Sequence, residues 1–464
     1  MTDNHLRIGL VSTRLAGTDG VSLESGKWTD VLTEMGHTCF YFAGECDRPA
    51  ERSRVVPEAH FDHPDIARIN TDLFDDEQRR PETSEAVRDL WGRLKRELLA
   101  FVRDFDIQLL LIENALAIPM NVPLGLAVTE LVAETNIPTI AHHHDFAWER
   151  TRFVLGAAED YLQAAFPPSM SNMHHVVINS FAAKQFALRT GLSSTLIPNV
   201  MDFDHPPTDH DPYRDDLCER LGIAADEKFL LQPTRIVPRK RIERAIELAR
   251  WLDMPCKLVV SHSAGDEGYE YKQYLADYAR AMGVELIFGD EVFEYDRRRT
   301  ASGSKIYSLH DAYQCADLVT YPSQIEGFGN AFLEAIYYRK PLMVSSYEIF
   351  RTDILPKGFR VISFGEFLTT DTVAHAHRVL ANPGVAREMV DHNYELGRRH
   401  YSYSVLREHL GWLIRQTRRR EHSPWGRPTK KPPGRLRGRA DPAGCVEGAV
   451  MAIALKKARG KPRR

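Results

Sequence analysis

A chain of 464 residues, 43% hydrophobic and 27% charged with a net charge of −4, has the length of two or three domains and the composition of a globular protein with two sizeable cores. No apolar run approaches the ~18 residues of a membrane span, and the first residues lack the basic-then-apolar order of a secretory signal. The six scattered cysteines show neither a Cys-x-x-Cys pair nor Cys/His ligand spacing, which excludes a disulfide scaffold and a zinc module and makes a reducing cytoplasm the expected setting.

The first half alternates strand and helix. Leu6 to Val11 reads as a strand, Ser22 to Met35 as a helix ended by Gly36 and His37, and Thr38 to Ala43 as a second strand, a βαβ unit with the usual right-handed crossover. The loop between them carries Gly17 and Gly20 but no G-x-G-x-x-G fingerprint, so it reads either as a tight turn or as a ligand loop. Residues 45–80 read as charged and irregular, and Ser84 to Asp104 as a polar helix. Asp106 to Ile112 is a buried strand ending in Glu113 and Asn114. Ligands of open parallel sheets lie beyond such strand ends, so both residues are candidate contacts, a capped loop being the alternative. Asn136 to Ala141 is another strand and runs into His142, His143, His144 and Asp145. Adjacent side chains on an extended chain diverge, so three consecutive histidines do not close on one metal ion. His174 to Ser180 reads as a strand entering a helix capped by Asn179 or Ser180. A Pro- and Asp-rich linker over 198–212 bounds a first domain at 1–203.

The second domain is placed at 213–400. Phe229 to Thr234 is a strand, and Arg235 to Ala249 continues as a helix whose buried face is Ile242, Ala245, Ile246 and Ala249. Arg235, Arg239, Lys240 and Arg241 crowd the start of that helix. The helix dipole opposes cations there, so an anion is expected beside them. Cys256 to Ser261 and Val284 to Gly289 are further strands, Asp290 follows the second, and Lys305 to Tyr313 reads as a helix. Ala316 to Tyr321 is a strand leading into YPSQIEGFGNAFLE, residues 321–334. Here Gly327 and Gly329 open a helix with Ala331, Phe332, Ala335 and Ile336 on its apolar face. Strand, glycine turn and helix start together make an anion site, and Glu326 and Glu334 flank it as acceptors for sugar hydroxyls. Pro341 to Ser346 and Phe359 to Ser363 are strands, and Tyr401 to Arg415 is a last helix. This alternation predicts an α/β protein of two Rossmann-like, doubly wound domains facing across a cleft. From Arg418 onward 15 Lys and Arg stand against 3 acids, and Pro and Gly abound, so 418–464 is expected to be a disordered basic tail with at most a short helix over Ala449 to Leu455. Nucleic-acid binding by the tail lacks the aromatic interleaving of a single-strand binder, since Trp425 stands alone.

EGFGNAFLE, Glu326 to Glu334, resembles the E-x7-E signature of the retaining glycosyltransferases of family four, which have the GT-B fold. Arg235 and Lys240 match the Arg and Lys of that family's earlier strand-to-helix turn. Leu196 to Phe203 resembles its interdomain segment, with one glycine replaced. The resemblance covers residues 5–415 and implies transfer of a hexose from a nucleotide diphosphate sugar to a small hydroxylated acceptor, with retention of configuration. It implies that Arg235 and Lys240 bind the diphosphate, Glu326 the sugar and Glu334 the ribose. Gly327, Phe328, Gly329 and Asn330 would frame the donor, the Gly20 loop would reach its phosphates, and the loop at Asp290 would hold its base. His144 and Asp145 match the family's His near an Asp, with His144 facing the transferred sugar as a neutral imidazole or through its carbonyl. Glu113, Asn114, His143 and Asp145 are then the acceptor contacts, and residues 401–417 a helix crossing back onto the first domain. Because cations occupy the diphosphate site, no obligatory metal or cofactor is expected. The stretch from His142 to Arg150 also resembles enzymes that mannosylate glucosylglycerate, which implies GDP-mannose. A sugar-nucleotide epimerase, a phosphorylase of the same fold and a tail-driven nucleic-acid binder remain alternatives.

Overall fold

Strands that are apolar at nearly every position need cover on both faces, which is the situation of parallel sheets. The computed structural model describes residues 5–208, 211–262 and 269–421, and its two large sheets are parallel throughout. In the first half, β1 (Arg7–Val11), β2 (Thr38–Ala43), β3 (Ser53–Val55), β4 (Leu109–Glu113), β5 (Thr139–His143), β6 (Met173–Val177) and β7 (Ser194–Leu196) form a seven-stranded sheet in the order β3-β2-β1-β4-β5-β6-β7. In the second, β8 (Lys228–Gln232), β9 (Cys256–Val260), β10 (Leu286–Phe288), β11 (Leu318–Tyr321), β12 (Leu342–Ser345) and β13 (Ile362–Phe364) form a six-stranded sheet in the order β10-β9-β8-β11-β12-β13. Each order reverses once, between β1 and β4 and between β8 and β11. Crevices for ligands open at such reversals, beyond the carboxyl ends of the strands.

The two halves touch through polar groups at these strand ends. The Asn179 amide donates to the Gly327 carbonyl at 2.7 Å, Asn199 Nδ2 donates to Asn330 Oδ1 at 2.8 Å, and the Ser180 backbone N–H donates to the Asp353 carboxylate at 2.7 Å. The last helices clamp the pair. Pro383–Tyr401 packs on the second half, with Tyr394 and Tyr401 in its core beside Phe203. Tyr403–Glu421 returns to the first, burying Leu406, Leu410, Leu413 and Ile414 against the cluster of Ile8, Leu10 and Trp28. Apolar residues at i, i+4 and i+7 supply that face. Among the described residues no helix is long and apolar enough to cross a membrane. The expectations for the basic tail beyond Glu421, nucleic-acid contact and the short helix over Ala449 to Leu455 lie outside the described residues.

The fold corrects the sequence reading at four places. Residues 45–80 are not irregular: they hold β3 and a helix, Pro64–Phe74, started by Pro64 at its first turn and burying Ile66, Ile69 and Leu73. Asp65, Arg68 and Asp72 on its outer face masked the period. The basic stretch after β8 is a loop with a 3-10 turn, Pro238–Lys240, and the helix begins only at Glu243. The last helix is interrupted at Ser402, ahead of Tyr403. Finally, Lys305 to Tyr313 divides into a strand, Lys305–Ser308, and a helix, Leu309–Cys315. Ser308 caps that helix in a capping box with Asp311, whose carboxylate accepts from the Ser308 backbone N–H and hydroxyl, both at 2.9 Å. The same fully buried carboxylate pairs with Arg297, whose Nε donates at 2.9 Å. Asp311→Ala therefore removes a cap and strands a guanidinium. It is expected to lower stability by about 2–3 kcal/mol, less than a wholly buried pair because Arg297 is partly solvated. A urea midpoint within error of the unsubstituted protein would contradict this.

Candidate functional site

The cationic side grows from the loop after β8. Val237 precedes the 3-10 turn, Lys240 ends it, and Arg241 takes a left-handed φ of 51° that turns the chain into the next helix. Arg241 is thereby aimed at the Glu366 carbonyl. Lys240 points inward: its side chain is 10% exposed, and its Nζ bonds Glu326 Oε1, 86 residues away in sequence. The Gln324 N–H donates to the Arg239 carbonyl at 2.9 Å, and the Arg239 guanidinium reaches the Ile325 carbonyl at 3.4 Å and Glu326 at 3.8 Å. Two loops separated by the reversal between β8 and β11 are thus stitched together. Burial lowers the Lys240 pKa, Glu326 opposes that, and the charges of Arg239 and Arg235 add to the lowering. The patch has one carboxylate for three cations and is short of negative charge.

The acidic side follows β11. Gly329 sits at φ 120°, and a Cβ there would lie 2.5 Å from the Tyr347 hydroxyl, which donates to the Phe328 carbonyl at 2.8 Å, so only glycine fits. The helix Asn330–Tyr337 starts at once behind it without a side-chain cap, so its first amides have no side-chain partner. Gly20 is the first residue of a helix, Gly20–Glu34, capped by Asp19, and a Cβ on it would lie 3.7 Å from Asn330 Nδ2, which puts the two helix starts side by side. Glu334, one turn in, accepts from the Tyr313 hydroxyl at 2.7 Å. The Phe328 side chain, read as a donor contact, is instead buried against Tyr401 with ring centroids 5.3 Å apart. Asp290 lies past the edge strand β10 and is ion-paired with Lys272.

The first half brings its own cluster to the opening. β4 and β5 pair with Glu113 opposite His142. Side chains alternate along β5, so His142 and His144 fall on one side of it and His143 on the other. Glu113 is fully buried and one of its oxygens takes both rings, His142 Nδ1 at 3.0 Å and His144 Nε2 at 3.3 Å. Trp28 stacks on His142 at 4.1 Å. Burial alone would raise the Glu113 pKa; the charge and hydrogen bonds of the two histidines hold it down at about 2. Burial alone would lower that of His144; the Glu113 bond and charge raise it, whereas His142 stays lowered by burial. The His144 imidazolium is thus held to higher pH than an ordinary histidine would hold it, in contrast to the neutral ring read from sequence.

Glu113 therefore backs His144 instead of meeting an acceptor directly. His143 is not at the opening either: it bonds His175 Nδ1 at 2.9 Å within an apolar pocket of Phe146 and Phe186. Asn114, at φ 59°, binds the His144 N–H through Oδ1 at 3.0 Å and Asp145 through Nδ2 at 2.9 Å. Asp145 also pairs with Arg150. A Cβ at Gly327 would lie 3.6 Å from the His144 carbonyl, so this carbonyl faces the Glu326 turn. Donor atoms of Glu113, His142 and His144 lie within 4.8 Å of one another, the one such metal-competent group among the described residues. Reading consecutive histidines as divergent missed that the alternate two converge. The two hydrogen bonds of Glu113 account for their geometry.

No family model matches the chain. It is similar to mannosylglucosylglycerate synthase of Thermotoga maritima, 33% identical over 440 residues that cover 87% of this chain and 99% of that protein. It is also similar to a mannosylglucosylglycerate synthase of Petrotoga mobilis, 31% identical over 393 residues covering 78% and 87%. Among solved structures, sucrose-phosphate synthase of Thermosynechococcus elongatus superposes with a TM-score of 0.62 at 16% identity, covering 89% of this chain and all of that one. HepE of Anabaena, in complex with UDP and glucose, gives 0.60 at 12% over the same 89%. At these identities the structures speak for the fold.

Proposed function

The chain belongs to the family of the mannosylglucosylglycerate synthases, glycosyltransferases of GT-B fold, and from that premise we propose that it transfers a hexose from a nucleotide diphosphate sugar to a hydroxyl acceptor with retention, in the form of mannose from GDP-mannose to glucosylglycerate. The observation that carries the reading is the meeting of Lys240 and Glu326 across a sheet reversal, with Arg235 and Arg239 beside them. In this reading the diphosphate takes the cations, and Glu326, released from Lys240, accepts from the sugar hydroxyls. Glu334 accepts from the ribose, the Asn330 helix start and the Gly20 N–H give backbone donors to phosphate, and the loop at Asp290 holds the base. The bond from the anomeric carbon to the diphosphate breaks as the acceptor oxygen bonds the same face, and the acceptor's proton passes to the departing phosphate oxygen. Cations aimed at that oxygen stabilise its growing charge. The His144 carbonyl faces the positive charge developing on the sugar, and Asn114 and Asp145 orient the acceptor. With cations in the diphosphate site, turnover is proposed to survive chelation.

The test is thermal-shift binding of nucleotide sugars followed by product analysis with glucosylglycerate and other hydroxylated acceptors. An α-linked product from an α-linked donor, formed only when acceptor is present, is expected. An altered sugar nucleotide formed without acceptor, or a requirement for inorganic phosphate, would replace this reading by an epimerase or a phosphorylase.

A further inference from the structure

The switch point between β8 and β11 has a third neighbour, one that sequence reasoning left out. β9 lies on the other side of β8, in register Gln232 to Val260. The Ser261 N–H donates to the Gln232 carbonyl at 3.3 Å, so Ser261 and His262 leave the sheet beside the turn from Pro233 to Arg235. Carboxyl ends thus stand in a row, with His262 after β9, Arg235 and Lys240 after β8, and Glu326 after β11. Ser261 is buried, and its Oγ lies 3.0 Å from His262 Nδ1.

Burial first, then the charges of Arg235 and Lys240, push the His262 pKa down to about 4. The ring is therefore neutral at pH 7, and both charged groups acting on it are positive. An imidazole on which two cations act gains nothing from them as an ion pair. It is suited instead to the anion that the cations attract. A Ser261 hydroxyl turned to donate to Nδ1 would leave the ring's proton on Nε2, a donor facing away from the serine. No group among the described residues is bonded to that nitrogen.

We propose that Ser261 and His262 form a third arm of the diphosphate site, His262 Nε2–H donating to a phosphoryl oxygen of a nucleoside diphosphate while Arg235 and Lys240 supply the charge. This rests on the nucleotide-sugar reading of the same site. Ser261 is a positioning residue: it touches no phosphate and fixes the tautomer of the ring that does. The sequence signal was a lone Ser-His pair at a strand end, which only the strand order makes meaningful.

Calorimetric titration of the full chain with GDP, UDP and ADP in turn tests this. For the nucleotide that binds, His262→Ala is expected to weaken affinity about tenfold, the effect of one hydrogen bond to a charged group. His262→Gln, whose amide Nε2 can donate from nearly the same place, is expected to recover most of it, and Ser261→Ala to lose about threefold, within the same principle's range for a weakened bond. A merely structural role would instead lower the thermal midpoint of these variants and leave affinity unmoved. If His262→Ala and His262→Gln both bind as tightly as the unsubstituted protein while Lys240→Ala does not, the third arm is wrong and the diphosphate site stands. If the unsubstituted protein binds none of the three nucleotides, the site reading falls and takes this inference with it.

Discussion

Lys240→Ala is expected to lower kcat by about 10²–10³-fold at saturating donor, the usual effect of deleting one preorganised group that meets charge developing in the transition state. The size follows from where the ammonium sits. Its side chain is 10% exposed and that of Glu326 11%, so little water screens either. A diphosphate that becomes a leaving group gains charge within this dry patch, and the exposed Arg235 and Arg239 cannot replace a buried point charge at the same place. Lys240→Arg is expected to rescue poorly, because a planar fork does not fit a pocket closed by the Tyr321 ring, 5.5 Å from the ammonium. Arg235→Ala is expected to cost less, about 10–10²-fold, since that side chain is solvated. Glu326→Gln separates the two partners. If Lys240 and Glu326 act on one bound donor, the double variant loses far less than the product of the single losses. Steady-state rates with the donor identified by binding decide the matter. A Lys240→Ala enzyme within threefold of normal turnover, still folded by thermal melt, would falsify the assignment of the phosphate site.

Much of this site was legible before any coordinates, and the reason is local. Glycine turn, helix start and flanking glutamates are adjacent in Glu326 to Glu334, and the basic cluster from Arg235 to Arg241 violates a rule about helix ends in a way that calls for an anion. The violation survives even though the helix starts later, because the cations still crowd one strand end. What stayed hidden depends on register. Glu113 and His144 are 31 residues apart, and their bond exists because β4 pairs with β5 at Glu113 opposite His142. A one-residue slip would send His143 to the opening instead. Phe328 was misjudged for a similar reason: its place on the glycine turn says ligand, whereas its contact with Tyr401, 73 residues on, says core. Ser308 shows the limit of periodicity. The stretch around it has a helical pattern, but the capping box it forms with Asp311 begins the helix there and leaves Lys305–Ser308 extended.

Glu113→Gln carries the second large effect, and its signature is a moved pH profile. Glu113 takes the Nε2–H of His144, so a neutral His144 ring presents a bare Nδ1, an acceptor. Only the imidazolium donates from both nitrogens. A sugar oxygen that needs a donor is therefore served below the His144 pKa and lost above it. That pKa is raised: burial lowers it, and the bond and charge of Glu113 more than reverse this. The donor form therefore persists to higher pH than in an ordinary histidine, and activity is expected to fall as pH rises through the raised value. Glutamine keeps the shape and can still accept from Nε2, but it removes the charge, leaving burial unopposed. The alkaline limb of kcat/KM should then move toward lower pH, and at pH 8 the rate should drop by about 10–10²-fold, the scale of one hydrogen bond from a charged group, with a much smaller deficit at pH 6. Stability gives an independent sign. The Glu113 carboxyl is held at about 2, below its unfolded value of about 4.3. Its contribution is complete above the unfolded value and disappears as pH falls toward 2, so the unsubstituted protein should lose stability through that acid window and the glutamine variant should lose less. A pH–rate profile that Glu113→Gln lowers uniformly, with no shift of the alkaline limb, would show that this carboxylate does not set the charge of His144.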